Sequence, residues 1–186
     1  MSVLRVYDEE ARVLAGDFND AGTVAERLAG VGVLFERWET DSTLAPGAGS
    51  EVVLAAYREP VERLKAQYGF QSVDVVSLTP DDPQREALRS KFLAEHTHAD
   101  FEVRFFVAGR GLFFIHAESQ VHALLCEAGD LVSVPAGVRH WFDMGAAPDF
   151  RCIRFFTTPD GWVAEFTGSD IAARFPDFET FVGSLS

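Results

Sequence analysis

The second half of the chain alternates between short apolar runs and turn residues. Between residues 101 and 157 six apolar segments follow one another at spacings of roughly ten residues. They read FEVRFFVAG, GLFFIHAE, VHALLCE, DLVSVPAG, RHWFDM and FRCIRFFT, and the first two are separated by the turn candidate Gly109-Arg110-Gly111. Short strands at this spacing are typical of an all-β sandwich or barrel. We therefore predict a β-barrel core over about residues 95–167.

The first half of the chain shows a different periodicity. Residues 1–19 alternate weakly and predict a hairpin, whereas apolar residues recur mainly at helical spacing over residues 20–92. One predicted helix, SEVVLAAYREPVERLKAQYG, should kink or split at Pro60, because proline interrupts helical hydrogen bonding. Another should begin after the N-cap candidate Thr79 or Asp81. The segments VLFERW and QSVDVVSL read as strands.

Length and composition fit one domain of this kind. The chain has 186 residues, of which 47% are hydrophobic, enough for a substantial core. We expect residues 1–186 to form a single, mainly β domain with α-helices, in which a helical elaboration of about residues 20–92 flanks the barrel. No apolar run approaches the roughly 20 residues that cross a bilayer, and the N-terminus lacks the apolar core of a signal peptide. We expect a cytoplasmic protein without a membrane partner.

Charge and cysteine content narrow the classes of partner. The formal net charge is -13, and the 16 Lys and Arg residues are scattered singly. Nucleic acids are bound mainly by clustered basic residues, so we predict no nucleic-acid partner.

Cys126 and Cys152 lie far apart without CxxC spacing, which predicts reduced, core-facing thiols. No heptad pattern argues for an oligomer, so we expect a monomer.

Ionisable residues cluster beside the apolar run that opens the predicted barrel. His96 and His98 are two residues apart, so both side chains project to one face of an extended strand. Glu102 begins the next strand, and His140 follows the turn in SVPAGVRH. Because buried ionisable groups need a partner or a cation, these four residues predict a site for one divalent metal ion per chain.

The chemistry of this set limits the metal. Three imidazoles and one carboxylate suit Fe, Ni, Mn, Co or Zn, and an octahedral ion would keep two positions open for a substrate. The alternative is a closed structural zinc site, although such sites usually contain cysteine. The remaining histidines, His116 and His122, lie in strands without neighbouring ligand-type residues, and we expect them to be hydrogen-bonded or exposed.

Arg104 follows Glu102 by two residues and therefore lies on the same strand face, near the predicted metal. A guanidinium stays charged, so Arg104 either holds an anionic substrate oxygen against the metal or forms an ion pair with Glu102 or Asp100. The intervening residues Val103 and Phe105 should point to the outer packing layer.

Further residues are candidates for the wall of a substrate pocket. Arg154 is embedded in the apolar segment FRCIRFF and is a second candidate for binding an anion. The aromatic candidates for an apolar pocket are Phe92, Phe105, Phe142 and Trp162.

The strings around the ligands resemble the two motifs of the cupin superfamily. HTHADFE with the following VxGxG resembles the first motif, and GDLVSVPAGVRH resembles the second. Ser90 stands where the first motif normally has Gly, and Met144 stands where the second usually has Asn. The longer strings EHTHADFEVRFFVAGRGLFFIH, SVPAGVRHWFDMG and IRFFTTPDGWVAEFTG closely resemble the acireductone dioxygenase family, and the likeness runs through most of the chain.

This resemblance implies a fold and an activity. The fold would be a cupin-type double-stranded β-helix, or jelly-roll, barrel. The expected substrates are O2 and the acireductone 1,2-dihydroxy-3-keto-5-methylthiopentene, from methionine salvage. With Fe(II) the family's products are 4-methylthio-2-oxobutanoate and formate. With Ni(II) they are 3-methylthiopropanoate, formate and carbon monoxide.

The resemblance also implies roles for single residues. Arg104 would favour the dianionic substrate, Glu95 would assist metal incorporation, and Phe101 would transmit local conformational change. The implied ligands of Fe(2+) or Ni(2+) are His96, His98, Glu102 and His140. Two alternatives stay open: another metal-dependent cupin enzyme, such as a sugar-phosphate isomerase, and a non-catalytic cupin.

Overall fold

The computed structural model describes residues 1–40, 43–45, 47–158 and 163–185. The strands in these ranges are β1 (Val3–Asp8), β2 (Val13–Phe18), β3 (Leu34–Arg37), β4 (Ser72–Leu78), β5 (His96–Thr97), β6 (Glu102–Ala117), β7 (Gln120–Glu127), β8 (Asp130–Val134), β9 (Arg139–Asp143), β10 (Phe150–Phe156) and β11 (Glu165–Phe166). The α-helices are α1 (Ala21–Ala29), α2 (Ser50–Ala56), α3 (Arg58–Tyr68), α4 (Arg85–Leu93) and α5 (Phe178–Gly183), and a 3-10 helix covers Ile171–Arg174.

The strands form two antiparallel layers that share β6. One layer has the order β11-β5-β9-β6-β7-β1-β2, and the other has the order β4-β10-β6-β8-β3. The first part of β6 pairs with β8 and β10, while its second part pairs with β7 and β9. The mainly β barrel with flanking helices that the sequence predicts is confirmed.

The N-terminal segments contribute strands to both layers. The predicted hairpin over residues 1–19 is formed by β1 and β2, and β1 also pairs with β7. In the other layer β3 pairs with β8, and β4 pairs with β10. Val24 and Leu28 of α1 pack into the apolar cluster of the barrel interior. The helices and strands of residues 20–92 therefore pack directly against the barrel segments.

The predicted turn at Gly109–Gly111 is instead part of one long strand, β6, which passes from one layer to the other. Gly109 has φ of 73°, and a Cβ there would overlap the carbonyl oxygen of Asp149. A Cβ on Gly111 would overlap the ring of Phe142. These glycines allow a close approach that other residues would block, so the strand continues where a turn was expected.

Alternation along β6 sends neighbouring aromatic residues into different clusters. Phe106 lies in the barrel interior, together with the free thiols Cys126 and Cys152. Phe105 lies on the outer face, with its ring centroid 4.6 Å from that of Trp38 and 4.9 Å from that of Tyr57. The core-facing position predicted for both cysteines is confirmed.

Two helix predictions differ from the structure in their boundaries. α2 and α3 meet at Tyr57 rather than at Pro60, which lies in the first turn of α3, where a missing N–H costs no helical hydrogen bond. Gln84 is the N-cap of α4, so the predictions for Thr79 and Asp81 are wrong. The Thr79 carbonyl instead accepts a hydrogen bond in a turn before the helix. Within the described ranges, no helix is long and apolar enough to cross a membrane.

Candidate metal centre

Four buried side chains converge between the layers of the barrel. They are the predicted ligands His96, His98, Glu102 and His140, and their ligand atoms all lie within 4.8 Å of one another. β5 pairs His96 with His140 on β9, while Glu102 is the first residue of β6. The set inferred from local spacing is therefore assembled in space by three different strands and the residues after β5.

The three histidine rings are oriented in the same way. Each Nδ1 donates a hydrogen bond to a backbone carbonyl oxygen. The pairs are His96 with Ala94 (2.7 Å), His98 with Val163 (2.9 Å) and His140 with Val138 (2.8 Å). These bonds favour the tautomer in which Nε2 carries the lone pair, which is the form that binds a metal ion.

Two of the Nε2 atoms face a single carboxylate oxygen. Oε2 of Glu102 lies 2.8 Å from Nε2 of His98 and 3.1 Å from Nε2 of His140. With both Nδ1 atoms donating to carbonyls, a neutral ring presents only an acceptor to the carboxylate oxygen, and only a protonated ring donates to it. Buried acceptors repel unless a proton or a metal ion lies among them. The donor set therefore fits a divalent ion, which would turn these contacts into metal–ligand bonds.

Burial and charge set the protonation of this group. Burial lowers the pKa of His96 to about 4, so its ring is neutral at neutral pH. Burial also acts to lower the pKa of His98, but the hydrogen bond with Glu102 outweighs it and the pKa is raised. Burial opposes ionisation of Glu102, yet Arg104 and the bonds from His140 and His98 hold its pKa well below its usual range. Protons and a metal ion would thus compete for the same atoms.

Arg104 lies beside the ligands, as strand alternation predicts. Its Nε is 2.8 Å from Oε1 of Glu102, and both side chains are buried. Its Cζ also lies 4.8 Å from the ring centroid of Phe142 and 5.5 Å from that of Phe113, at cation–π distance. Of the two roles considered for Arg104, the ion pair with Glu102 is present, and the contact with a substrate stays a prediction.

A cavity of about 520 Å³ opens beside the four ligands. Its wall combines the polar residues His96, His98, Glu102 and Arg104 with the apolar residues Val73, Leu88, Phe92, Phe156 and Ala164. Arg154 also lines the cavity, and its guanidinium donates two hydrogen bonds, of 2.8 and 2.6 Å, to the carboxylate of Asp74. The wall of the cavity therefore combines charged and apolar side chains.

The aromatic pocket candidates are distributed differently. Phe92 lines the cavity, whereas Phe142 lies behind it, buried beneath Arg104, with its ring centroid 6.5 Å from that of Phe92. The structure corrects the pocket prediction for Phe105, which packs against the helices outside the barrel because it alternates with Arg104 along β6. Trp162 lies outside the described residues.

The two residues with implied auxiliary roles lie in different surroundings. Glu95 is buried, and its carboxylate accepts hydrogen bonds from Nδ1 of His116 (2.6 Å) and from Oγ1 of Thr167 (2.8 Å). His116 is thus hydrogen-bonded, one of the two states expected for it. The same expectation is wrong for His122, which is buried and whose ring nitrogens have no hydrogen-bond partner among the described residues. Phe101 is 44% exposed and lines a separate apolar cavity of about 210 Å³. The roles implied for Glu95 and Phe101 stay predictions.

Sequence reasoning missed the contacts that support the ligands from other parts of the chain. The Val163 carbonyl orients His98, and the Phe166 ring centroid lies 5.9 Å from that of His96. A backbone carbonyl leaves no signal in residue type, so this contact could not be read from the sequence. The partly buried ion pair between Arg89 and Asp143 (2.7 Å) connects α4 to β9, and its only sequence signal is a pair of opposite charges flanking apolar segments.

Comparisons with known proteins agree with this geometry. A family model described as the ARD/ARD' family matches residues 4–164. The curated acireductone dioxygenase of Methylococcus capsulatus is 55% identical over 182 residues, which cover 98% of this chain and 98% of the relative. That of Aquifex aeolicus is 52% identical over 182 residues, which cover 98% of this chain and 99% of the relative.

A solved structure extends the likeness to the fold. It is the acireductone dioxygenase from Bacillus anthracis with a cadmium ion in its active centre. The match has a TM-score of 0.76 at 28% identity and covers 89% of this chain and 99% of that one. The cupin-type fold predicted from the motifs is thereby confirmed. The family match over most of the sequence and the identity above one half to these relatives show that this chain belongs to the ARD/ARD' family.

Proposed function

We propose that this chain is a metal-dependent acireductone dioxygenase of methionine salvage. The observation that carries the proposal is the buried group of His96, His98, Glu102 and His140, of which the first three line a cavity. Relatives with this name are more than half identical to the chain over 98% of its length, which supports the same activity. The substrates would be O2 and 1,2-dihydroxy-3-keto-5-methylthiopentene.

The proposed cofactor is one Fe(2+) or Ni(2+) ion per chain. Three imidazole nitrogens and a carboxylate oxygen suit both ions, and the Nδ1 hydrogen bonds leave each Nε2 directed at the site. When bound, the ion would supply Lewis-acid chemistry and a template for a substrate with two oxygen ligands.

The proposed products depend on the ion that is loaded. With Fe(2+) they would be 4-methylthio-2-oxobutanoate and formate. With Ni(2+) they would be 3-methylthiopropanoate, formate and carbon monoxide. In both cases the two atoms of O2 end in the products, so no further oxidant is required.

Arg104 is the proposed substrate clamp. An enediolate dianion in the cavity would bring negative charge beside a guanidinium that stays protonated. The ion pair with Glu102 and the ring of Phe142 fix the orientation of this group before the substrate arrives. Substrate oxygens would accept hydrogen bonds from Arg104 in exchange for part of its present contacts, which stabilises the charge that the reaction needs.

The rest of the cavity would receive the methylthio tail and exclude water. We assign this role to Phe92, with the buried ring of Phe142 supporting it from behind and Arg154 as a charged residue of the wall. The same role for Trp162 rests on the sequence alone. Glu95 and Phe101 keep their implied auxiliary roles in metal incorporation and conformational transmission. The proposal treats residues 1–186 as one domain that acts as a cytoplasmic monomer without a nucleic-acid or membrane partner.

The test is metal-dependent oxygen uptake. The metal-free chain is loaded separately with Fe(2+) and Ni(2+) under anaerobic conditions, and O2 consumption is followed after addition of the acireductone. We expect consumption by both loaded forms and none by the metal-free form. Turnover of a sugar phosphate without O2 consumption would favour the isomerase alternative, and the absence of turnover with either substrate would favour a non-catalytic cupin.

A further inference from the structure

A second buried polar group lies next to the ligands. His116, on β6, has Nδ1 2.6 Å from Oε2 of Glu95 and Nε2 2.9 Å from Oε1 of Glu9. The other oxygen of Glu95 accepts a hydrogen bond from Oγ1 of Thr167 (2.8 Å). We call Glu9, His116, Glu95 and Thr167 the histidine bridge. These hydrogen bonds connect Glu9, in the turn after β1, to Glu95, the residue before the ligand His96.

The ring of His116 is suited to this position by its two nitrogens. Each ring nitrogen lies within hydrogen-bond distance of one carboxylate oxygen, so the ring bridges the two carboxylates. Glu95 is 1% exposed, so its carboxylate would be costly to bury without these donors. Glu9 is half exposed and needs no such compensation. His116 therefore contacts the buried carboxylate of Glu95 through Nδ1, and the partly exposed Glu9 contacts the other ring nitrogen, Nε2.

Glu95 connects the histidine bridge to the ligands. Its backbone carbonyl accepts a hydrogen bond from the N–H of Thr167 (3.1 Å), the residue that follows β11. β11 pairs with β5 through Phe166 and His96, and the Val163 carbonyl upstream of β11 orients the ring of His98. β5 has only two residues, and its ladder with β9 contains a single pair. The backbone ladder alone thus gives the segment carrying His96 and His98 few restraints.

We infer that His116 is a positioning residue of the metal centre. By fixing Glu95 it fixes both β5 and, through Thr167, the segment 163–167 that orients His98. This inference rests on the proposed metal centre but not on the proposed reaction. Groups that hold metal ligands in place typically change metal affinity by about 10–100-fold when they are removed.

The first test compares His116→Gln with His122→Gln, using Ni(2+) alone as the probe. His122 is an equally buried histidine on the neighbouring strand, and neither of its ring nitrogens has a hydrogen-bond partner among the described residues. Release of Ni(2+) to a chelator should be about tenfold faster from His116→Gln and unchanged in His122→Gln. In the Ni(2+) form, the N–H proton of the His98 ring gives a paramagnetically shifted NMR signal. This proton should exchange with water faster in His116→Gln than in the parent. A general loss of stability would affect all buried N–H protons and not this one alone.

A second pair of variants keeps the inference testable if His116→Gln does not fold. Glu9 lies in a surface turn, so Glu9→Ala should leave the fold intact while removing one acceptor from the ring. We expect Glu9→Ala to release Ni(2+) faster than the parent. Glu9→Gln keeps an acceptor oxygen and should release Ni(2+) as slowly as the parent. A release rate from Glu9→Ala equal to that of the parent, or an unchanged rate from a folded His116→Gln, would overturn the inference. A parent chain that binds no metal would overturn the metal centre itself, and this inference with it.

Discussion

Nε of Arg104 lies 2.8 Å from one carboxylate oxygen of Glu102, while the other oxygen of that carboxylate faces the ligand histidines. Glu102 therefore has two separate tasks. Oε2 belongs to the predicted metal site, and Oε1 orients the guanidinium that would meet the substrate. This division allows the metal site and the substrate clamp to be disturbed independently.

Arg104→Ala should retain the metal but lose turnover. The metal ligands are untouched, whereas the charge that would meet the dianionic substrate is removed. We expect unchanged metal content and a fall in kcat/KM of about 100-fold, the size typical of a lost charge-stabilising donor. Arg110→Ala is the matched control, since Arg110 lies on the same strand but lines a different cavity. A parallel loss of metal from Arg104→Ala would contradict the clamp role.

His96→Ala should lose stoichiometric metal binding. One of four ligands disappears, and burial already keeps the ring of His96 neutral and ready to bind, with its pKa lowered to about 4. Elemental analysis after dialysis measures the effect directly. His122→Ala removes another buried histidine and should keep its metal. Full metal content in His96→Ala would show that the ligand assignment is wrong.

The ligand set could be predicted because its chemistry lies in short local strings. His96 and His98 are two residues apart, Glu102 opens the next strand, and His140 lies near the start of a strand after a recognisable turn. The structure also explains why Ser90 replaces the glycine that the first cupin motif normally has at this position. Ser90 lies in α4, where its Oγ donates to the Glu86 carbonyl (2.9 Å), so a barrel glycine has no place there.

The remaining features depend on contacts between distant segments. The Val163 carbonyl reaches His98 across 65 positions of sequence, and His116 reaches Glu9 across 107. Neither pairing follows from residue type. The pocket role of Phe105 conflicted with strand alternation, which correctly assigns this residue to the outer face. The alternation of side chains thus predicts which face of a strand a residue occupies, whereas contacts between residues distant in sequence become known only from the folded structure.

Gly111→Ala should destabilise the protein and disturb the clamp. A Cβ at Gly111 would overlap the ring of Phe142, which lies beneath Arg104. Overpacking of this kind costs about 1–3 kcal/mol in the free energy of unfolding, measurable with denaturant. Because the ring must move, we also expect a higher KM for the acireductone. Gly47→Ala is the control, since no atom of the described residues lies within 4 Å of its added Cβ. Equal stability of both variants would contradict the packing argument.

His122 should make the metal-free protein sensitive to acid. Burial lowers the pKa of His122 below its ordinary value of 6.5, against a raising effect of Glu118 and together with a lowering effect of Arg27. Below pH 6.5 the unfolded chain therefore binds a proton that the folded chain does not, so stability falls as pH falls. The slope is at most about 1.4 kcal/mol per pH unit.

His122→Gln should remove this contribution. The measurement compares the free energy of unfolding of metal-free parent and variant between pH 7.5 and pH 5. The difference between the two proteins should change with pH below 6.5 and stay constant above it. A constant difference over the whole range would mean that His122 is not held neutral by burial.

The central claim is that the group of His96, His98, Glu102 and His140 binds the ion that decides the reaction. The most direct measurement is product identification after one preparation of metal-free chain is loaded in parallel with Fe(2+) and Ni(2+). The account predicts 4-methylthio-2-oxobutanoate and formate from the Fe(2+) form, and carbon monoxide with 3-methylthiopropanoate and formate from the Ni(2+) form. The same products from both loaded forms, or from the metal-free chain, would contradict it.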